Sequence, residues 1–217
     1  MRKALYLGTD PSYYQAKGAQ IIHYPVIQII PRMDSYIQAA YSKLANYTHL
    51  LFTSKNTVQV FFQQLNDLDI SKNLLEPITI IAIGQVTASY VKKYTHCSFV
   101  VEEETQEGMV AFLRTQSLEK TYFFSPRSSL SRNVILDFFQ KNHILFQDCF
   151  IYDTVVQKNQ PIPHLEDIDE IIFTSPSTIK AFLEIFSAIP LDKKLTTIGP
   201  ITQKALSEIK ALLFPKV

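Results

Sequence analysis

The sequence predicts an α/β protein with two similar domains, each a parallel sheet flanked by helices. Apolar runs with strand character alternate with helix-spaced apolar patterns along the chain. One strand–helix junction occurs twice, at residues 50–62 (LLFTSKNTVQVFF) and 171–183 (IIFTSPSTIKAFL), and five of the thirteen positions are identical. A second pair of junctions follows in the same order. These observations together indicate an internal duplication.

In the first pair of junctions, each strand ends at Phe-Thr-Ser and a helix follows. Ser54 and Ser175 stand where an N-cap hydroxyl would accept from an amide of the first helical turn. Pro176 follows the second cap, at a position where a missing N–H group removes no helical hydrogen bond. Both serines are therefore predicted to cap helices.

The second pair of junctions aligns Gly84 with Gly199 and Thr87 with Thr202. The two serines are 121 residues apart and the two glycines 115, so the offsets differ by no more than a loop. Here a strand at 78–83 is predicted to end before a helix at 88–93, and a strand at 195–198 before another helix.

The remaining elements follow from the same patterns. A helix at 35–44 is predicted to be capped near Asp34. The other predicted elements are strands at 4–7, 21–24, 26–30, 99–101 and 122–124, a helix around 109–113, a helix at 130–139 after a strand end Ser125-Pro126-Arg127-Ser128, and a long alternating strand at 144–156.

Prolines and strand length predict how the chain divides. Pro25 and Pro31 bracket a short extended run, and the strand at 144–156 is too long for an ordinary core strand. We predict a first, discontinuous domain at 1–25 and 158–217 and a second at 34–149. Residues 26–33 and 150–157 would form a two-stranded β linker, with a cleft between the domains.

Composition excludes several functions. The net charge of +1 and the pI near 7.7 give no basic field for nucleic acid. No apolar run reaches the length of a membrane span, and we expect no signal peptide and a cytoplasmic protein. Cys97 and Cys149 are far apart and predict free thiols. The five histidines are scattered, and we expect no metal site.

The repeated helix starts suggest an anion site. Ser54, Thr87, Ser175 and Thr202 each fall within a first helical turn. Free N–H groups and the helix dipole make such turns suitable for carboxylate or phosphate. Serine and threonine are also ordinary caps, and for any one of these residues that is the more common role. The repetition at matching offsets favours a large polyanionic ligand.

The chain resembles the uroporphyrinogen-III synthase family along nearly its whole length. The resemblance is carried, in order, by FTSKNTVQVFF, IAIGQVTASYV, SPRSSLSRNVILDFFQKNHILFQDCFIYDT, IIFTSPSTIKAFL and TIGPITQKAL. It implies two α/β domains joined by a two-stranded ladder. It also implies a cyclising lyase that converts the linear tetrapyrrole hydroxymethylbilane to uroporphyrinogen III, with loss of water, inversion of ring D and no cofactor. The substrate's eight carboxylates would suit the helix N-termini.

The resemblance also implies residue roles. Tyr152 matches the family's interdomain tyrosine, which assists departure of the substrate hydroxyl. The substrate-binding set that we carry over or expect is Ser54, Thr87, Ser175, Thr202, Gly84, Gly199, Pro176, Arg127 and Arg132. For either arginine, a surface position is the more common role. The family's usual Thr-Arg-Pro after the first strand is Thr9-Asp10-Pro11 here, which puts one carboxylate contact in doubt.

Two other functions remain open from the sequence. One is a two-domain module that binds a tetrapyrrole or another polyanion without turnover. The other is a solute receptor of the periplasmic type, which the expected absence of a signal peptide disfavours. We expect a monomer that binds neither nucleic acid nor membrane. The ratio of isomer III to isomer I formed from hydroxymethylbilane would distinguish the enzyme from the binding module.

Overall fold

A computed structural model describes residues 1–12, 14 and 18–213 of the 217. The chain forms two compact units: unit 1 is residues 1–28 with 154–217, and unit 2 is residues 29–153. The strands are β1 (Arg2–Tyr6), β2 (Ala19–His23), β3 (Ile27–Pro31), β4 (His49–Phe52), β5 (Thr79–Ile83), β6 (Phe99–Val101), β7 (Tyr122–Ser128), β8 (Leu145–Val156), β9 (Glu170–Phe173) and β10 (Lys194–Thr197). The helices are α1 (Ser35–Ser42), α2 (Lys55–Asp67), α3 (Gly84–Val91), α4 (Gln106–Leu113), α5 (Val134–Lys141), α6 (Pro176–Phe186) and α7 (Pro200–Leu213).

Unit 1 contains a four-stranded sheet in the order β10-β9-β1-β2, and every neighbouring pair is parallel. Alternate strand residues divide the core into two faces. Leu5 and Phe173 pack with Phe182 of α6 and Leu206 of α7 on one face, while Ala4 and Ile172 belong to a small cluster on the other. Helices α6 and α7, the two that the structure describes in this unit, therefore lie on one face of the sheet.

Unit 2 contains a six-stranded sheet in the order β3-β8-β7-β4-β5-β6. The five strands from β8 to β6 are parallel. Leu50 and Phe52 of β4 face a core that includes residues of α1, α2 and α3, whereas the intervening Leu51 packs with residues of α4 and α5. Helices thus cover both faces, which confirms the predicted α/β class with parallel sheets flanked by helices.

Strand β8 contains an irregularity that bears on the site. Its register with β7 pairs Arg127 with Phe150 but Ser128 with Tyr152, so Ile151 is an extra residue opposite no residue of β7. This is a β-bulge. Beyond it the chain leaves unit 2, since the boundary between the units falls after Asp153.

Several predicted boundaries are wrong, and three of them have a physical reason. Helix α3 begins at Gly84 rather than at residue 88, because the positive φ of 77° at Gly84 turns the chain directly from strand to helix. The Ser-Pro-Arg-Ser segment does not follow the strand but forms its last four residues, because β7 continues through Ser128. Pro126 is tolerated there since β4 pairs with β7 only at Phe123 and Phe124.

The helix predicted from residue 130 begins at Val134 instead. The carbonyls of Ser131 and Arg132 accept hydrogen bonds from the Arg127 guanidinium at 3.2 and 3.3 Å, and Asn133 Oδ1 accepts at 2.9 Å. The segment between β7 and α5 is therefore wrapped around a side chain. By contrast, the predicted Asp34 cap of α1 is confirmed, with Asp34 Oδ1 accepting from Ile37 N at 2.8 Å.

Candidate active site

The first Phe-Thr-Ser junction places three hydroxyl groups together in unit 2. Ser54 has an extended backbone and its Oγ accepts from the amide of Thr57, which confirms the predicted N-cap of α2. Ser54 Oγ also lies 2.9 Å from Thr57 Oγ1. The Tyr152 hydroxyl lies 3.3 Å from Ser54 Oγ and 3.4 Å from Thr57 Oγ1. The phenol therefore stands directly at the N-terminus of a helix.

Tyr152 is almost completely buried, with 4% of its surface exposed, in the core cluster that also contains Phe61 and Cys149. The ring is held by apolar packing and its hydroxyl end meets polar groups, which is the usual environment of a buried tyrosine. The nearby amides and dipole of α2 favour negative charge at this point. A phenol placed here can donate a proton while its neighbours stabilise the oxygen that remains.

The second Phe-Thr-Ser junction, in unit 1, is a capping box. Ser175 Oγ accepts from Thr178 N at 3.3 Å, and Thr178 Oγ1 accepts from the amides of Thr174 and Ser175 at 3.1 and 3.2 Å. Pro176 occupies the first turn of α6, as predicted. Ser175 Oγ also lies 2.8 Å from Ser177 Oγ. This junction presents hydroxyls at a helix start, but the contacts of these hydroxyls all lie within the helix start itself.

The glycine junctions of the two units share one backbone conformation. Gly84 and Gly199 both have φ of 77°, at the starts of α3 and α7. Their surroundings differ. A Cβ atom at Gly84 would lie 2.6 Å from Glu104 Oε1, whereas one at Gly199 would meet no described atom within 4 Å. The start of α3 therefore already faces a carboxylate of the chain, while the start of α7 faces open space.

The two threonines of these junctions are buried. Thr87 lies in α3 with 5% of its surface exposed, and Thr202 lies in α7 with 3% exposed. The matching positions in the two units thus have matching environments. For both residues, a role in binding stays a prediction.

Arg127 has a structural position that the sequence did not indicate. The side chain is buried and forms a bidentate ion pair with Asp148, with Nε–Oδ1 at 2.5 Å and Nη2–Oδ2 at 2.8 Å. Its guanidinium also lies over the ring of Phe150. Because the guanidinium is held by Asp148 and by the loop before α5, we remove Arg127 from the expected substrate-binding residues. The expectation of a surface position was wrong for this arginine.

Arg132 lies at the surface and forms a bidentate ion pair with Glu107, in which Nη2–Oε2 is 2.8 Å. Both side chains are about half exposed, so water screens the pair and a competing carboxylate can replace Glu107 at little cost. Arg132 therefore stays among the predicted binding residues.

Comparisons with known proteins identify the family to which the chain belongs. A family model described as uroporphyrinogen-III synthase HemD matches residues 12–216. The chain belongs to the uroporphyrinogen-III synthase family. It is similar to a porphyrin biosynthesis protein HemD of Ruminiclostridium josui, with 26% identity over 193 residues that make up 85% of this chain and 38% of that protein. The chain therefore spans well under half the length of this curated relative.

Two solved structures of uroporphyrinogen-III synthases share the fold. A mutant enzyme from Thermus thermophilus matches with a TM-score of 0.64 at 13% identity, and the match covers 96% of this chain and 89% of that one. The enzyme from Helicobacter pylori matches with a TM-score of 0.62 at 20% identity and the same coverage. At these identities the similarity establishes the fold alone.

In this member of the synthase family, a cavity of about 740 Å³ lies away from the helix starts. It is lined by residues before β7 and β8, among them Leu113, Lys120 and His143. These residues lie at the amino ends of parallel strands and at the C-termini of α4 and α5. Parallel sheets bind their ligands at the opposite, carboxyl edge, and helix C-termini disfavour anions. The cavity is therefore a poor candidate for an anion-binding site.

Neither cysteine thiol is activated as a nucleophile, because burial raises the pKa of both Cys97 and Cys149. Cys97 and Cys149 are both free thiols. Burial and the neighbouring Asp148 carboxylate raise the pKa of Cys149 to about 12, so it stays protonated. Among the residues that the structure describes, there is also no cluster of three or more histidine, cysteine, aspartate or glutamate side chains that could hold a metal ion. Within the same residues, no helix is long and apolar enough to cross a bilayer.

Sequence reasoning missed Thr57, one of the three hydroxyls of the candidate site. Its signal was present, because Thr57 and its counterpart Thr178 are among the five identical positions of the repeat. Both side chains are fully buried, at 1% and 0% exposure. A threonine shared by the two copies three residues after a cap marks a side chain that turns back toward that cap.

Proposed function

We propose that this chain is a uroporphyrinogen-III synthase, a lyase that cyclises hydroxymethylbilane to uroporphyrinogen III with loss of water and inversion of ring D. The observation that carries the proposal is the Tyr152 phenol at the N-terminus of α2, 3.3 Å from Ser54 Oγ, in a chain of this family. Tyr152 is the group we assign to assist departure of the substrate hydroxyl.

In the proposed step, the Tyr152 phenol donates its proton to the leaving hydroxyl, which departs as water. The Ser54 and Thr57 hydroxyls are placed to donate to the phenolate oxygen that forms. The proton returns to Tyr152 when the cyclised product loses a proton. A phenol is a modest acid at neutral pH, so this assistance supplements orientation of the substrate and does not replace it.

Carboxylate binding is assigned to the helix starts in each unit. In unit 2, the amides after Ser54 and around Gly84 bind substrate carboxylates. In unit 1, the amides after Ser175 and around Gly199 do so. Backbone amides hold carboxylates without a strongly basic surface, which fits a net charge of +1. Gly199 is the strongest of the four candidates, because no atom of the residues that the structure describes lies within 4 Å of a Cβ placed there. We further propose a monomer that acts in the cytoplasm and needs no cofactor.

The deciding experiment supplies hydroxymethylbilane to the purified protein and separates the isomers of the cyclised product. An excess of isomer III over isomer I is expected, in proportion to the protein added. If only isomer I forms, at the rate seen without protein, the synthase proposal fails.

A second candidate is a binding module without turnover, and Asp10 favours it. Asp10 follows β1 at a point where the family usually carries an arginine, and its Oδ1 accepts from Ser12 N at 2.9 Å. The aspartate replaces a cation that would fix one substrate carboxylate, so a tetrapyrrole held at the helix starts would lack one of the contacts that orient it for reaction. In the same assay, a binding module would retain labelled tetrapyrrole through gel filtration and yield no isomer III.

A further inference from the structure

The β-bulge in β8 determines which way Tyr152 faces. In a regular strand successive side chains point to opposite faces. Cys149 is buried and Phe150 is 38% exposed, in keeping with this alternation, but Ile151 and Tyr152 are both buried in the same core cluster. The extra residue at Ile151 therefore turns Tyr152 onto the face that carries Ser54. Without the bulge, the phenol would lie on the same face as Phe150.

A buried glutamine binds the bulge. Gln64 of α2 is 1% exposed, and its Nε2 donates to the carbonyl oxygen of Ile151 at 3.3 Å and to that of Arg32 at 2.5 Å. Its Oε1 accepts from the Tyr41 hydroxyl at 2.7 Å. Arg32 N also donates to the Ile151 carbonyl at 2.9 Å. Gln64 thus joins the residue before Tyr152 to the strand on the other side of β8.

The residue after Tyr152 is held equally firmly. The Asp153 carboxylate accepts from Arg32 Nε at 2.6 Å and from Ser129 Oγ at 2.5 Å. These two donors lower the pKa of Asp153, so it is ionised at neutral pH. Ser129 N in addition donates to the carbonyl of Tyr152 at 3.1 Å. The backbone is therefore fixed on both sides of the phenol.

The two copies of the repeat differ at the position of this glutamine. At the repeat offset of 121 residues, Gln64 corresponds to Ile185. Ile185 packs against the apolar core of unit 1. The matching position of the helix in unit 1 is thus occupied by an apolar residue. A buried amide is costly unless its hydrogen bonds are made, so its presence in unit 2 has a local purpose.

We propose that Gln64 is a positioning residue, which holds the bulge at Ile151 and thereby keeps the Tyr152 hydroxyl at the start of α2. Arg32 and Ser129 support it through Asp153. The inference rests on the proposed function, because Tyr152 is the group that Gln64 places. Gln64 acts through the backbone and makes no contact with the reacting atoms.

The test compares Gln64→Met with Gln63→Met, which changes the exposed neighbouring glutamine of the same helix. Gln64→Met is expected to lower kcat about tenfold with KM changed less than about twofold, because misplacing a catalytic group affects the transition state most. Gln63→Met is expected to leave both constants unchanged. In a Tyr152→Phe background, Gln64→Met should lower kcat by less than about twofold. An equal loss in both backgrounds would show a general structural effect and overturn the proposal.

An activity-independent measurement separates this inference from the proposed function. In protein with ¹³C-labelled tyrosine rings, the signal absent from Tyr152→Phe identifies Tyr152. That signal is expected to shift in Gln64→Met and to stay in place in Gln63→Met. An unshifted signal overturns the positioning role. A shifted signal in a protein whose Tyr152→Phe variant keeps full activity supports the positioning role and removes Tyr152 from the mechanism. If Gln64→Met does not fold, Ser129→Ala at the other side of the bulge replaces it, with the same expected shift.

Discussion

The two Phe-Thr-Ser junctions have the same backbone and differ in what the hydroxyls contact. In unit 1, Thr178 closes a capping box with Ser175, and its oxygen is used by the amides of its own turn. In unit 2, Thr57 Oγ1 lies beside Ser54 Oγ and the Tyr152 hydroxyl. One copy uses its threonine to complete the helix start, whereas the other directs it toward a phenol from a distant strand.

This difference indicates how a duplicated scaffold acquires a specialised site. The cap itself is retained in both copies because it satisfies amides that every helix start exposes. The specialised copy adds features from elsewhere in unit 2, namely the bulge at Ile151, the phenol of Tyr152 and the buried Gln64. We therefore expect variants at paired positions to differ in their effects on catalysis, and to differ in their effects on stability only where the local contacts of the two copies differ.

The largest effect is expected from Tyr152→Phe. Removing the hydroxyl should lower kcat by about ten- to a hundredfold, because general acid catalysis contributes at least this much. The free energy of unfolding should fall by about 1 kcal/mol or less, since the hydroxyl's two contacts of 3.3 and 3.4 Å are long. Kinetics of isomer III formation and urea denaturation measure the two quantities. Unchanged turnover in a folded variant would remove Tyr152 from the mechanism and leave the two junctions functionally equivalent.

The next largest effect is expected on stability, from substitutions at Gly84 and Gly199. Gly199→Ala places an L-residue at φ of 77°, which costs roughly 1–2 kcal/mol. Gly84→Ala has the same strain and also displaces the Glu104 carboxylate, which would be 2.6 Å from the new methyl group. The exposed Glu104 side chain can swing away, so the additional loss should be less than about 1 kcal/mol.

A double variant checks the origin of this difference. In a Glu104→Ala background, Gly84→Ala should lose no more stability than Gly199→Ala does, as measured by hydrogen exchange of the amides of α3 and α7. A larger loss that persists without Glu104 would mean that the start of α3 is crowded by other groups.

The features of the fold and of the candidate site that could be predicted from the sequence are those that depend on residues close together in the chain. The caps Ser54 and Ser175 follow from residues within one helical turn, and the sequence predicted both, whereas it placed the start of α3 four residues too late. Arg127 was misjudged because its partner Asp148 is 21 residues away on the next strand. Tyr152 was proposed from the family pattern, whereas the bulge that orients its side chain depends on register with β7, which no local pattern reports.

Substitutions at Thr57 and Thr178 test whether the two helix starts differ in their contribution to stability. Thr178→Val removes the oxygen that accepts from the amides of Thr174 and Ser175, and it should lower stability by about 1–2 kcal/mol. Thr57→Val removes only hydroxyl–hydroxyl contacts and should lower it by about 1 kcal/mol or less. Hydrogen exchange at the first turns of α6 and α2 measures each loss separately. Equal losses would show that the capping box in unit 1 contributes nothing beyond the Ser175 cap.

The smallest effect on stability is expected from a fall in pH, through the titration of two residues. These are His49 and Glu170, which begin the repeated strands β4 and β9. Burial lowers the pKa of His49, whose ring lies against Phe123. The unfolded chain therefore binds a proton more readily than the folded one, and the stability that His49 contributes is lost as the pH falls below about 6.5. For Glu170, burial alone would raise the pKa, but the Thr196 hydroxyl and the cations Lys194 and Arg2 outweigh it and lower the pKa. Its contribution is lost only below about pH 4.3.

Unit 2 should accordingly begin to lose stability at a higher pH than unit 1. The measurement is hydrogen exchange of β4 and β9 amides between about pH 7.5 and 4, corrected for the intrinsic dependence of exchange on pH. His49→Gln should flatten the response of β4 near about pH 6 and leave that of β9 unchanged, because the variant has no group that titrates there. A response of β4 that survives the substitution would place the titrating group elsewhere in unit 2. It would also show that the two strand starts differ in sequence without differing in their contribution to acid sensitivity.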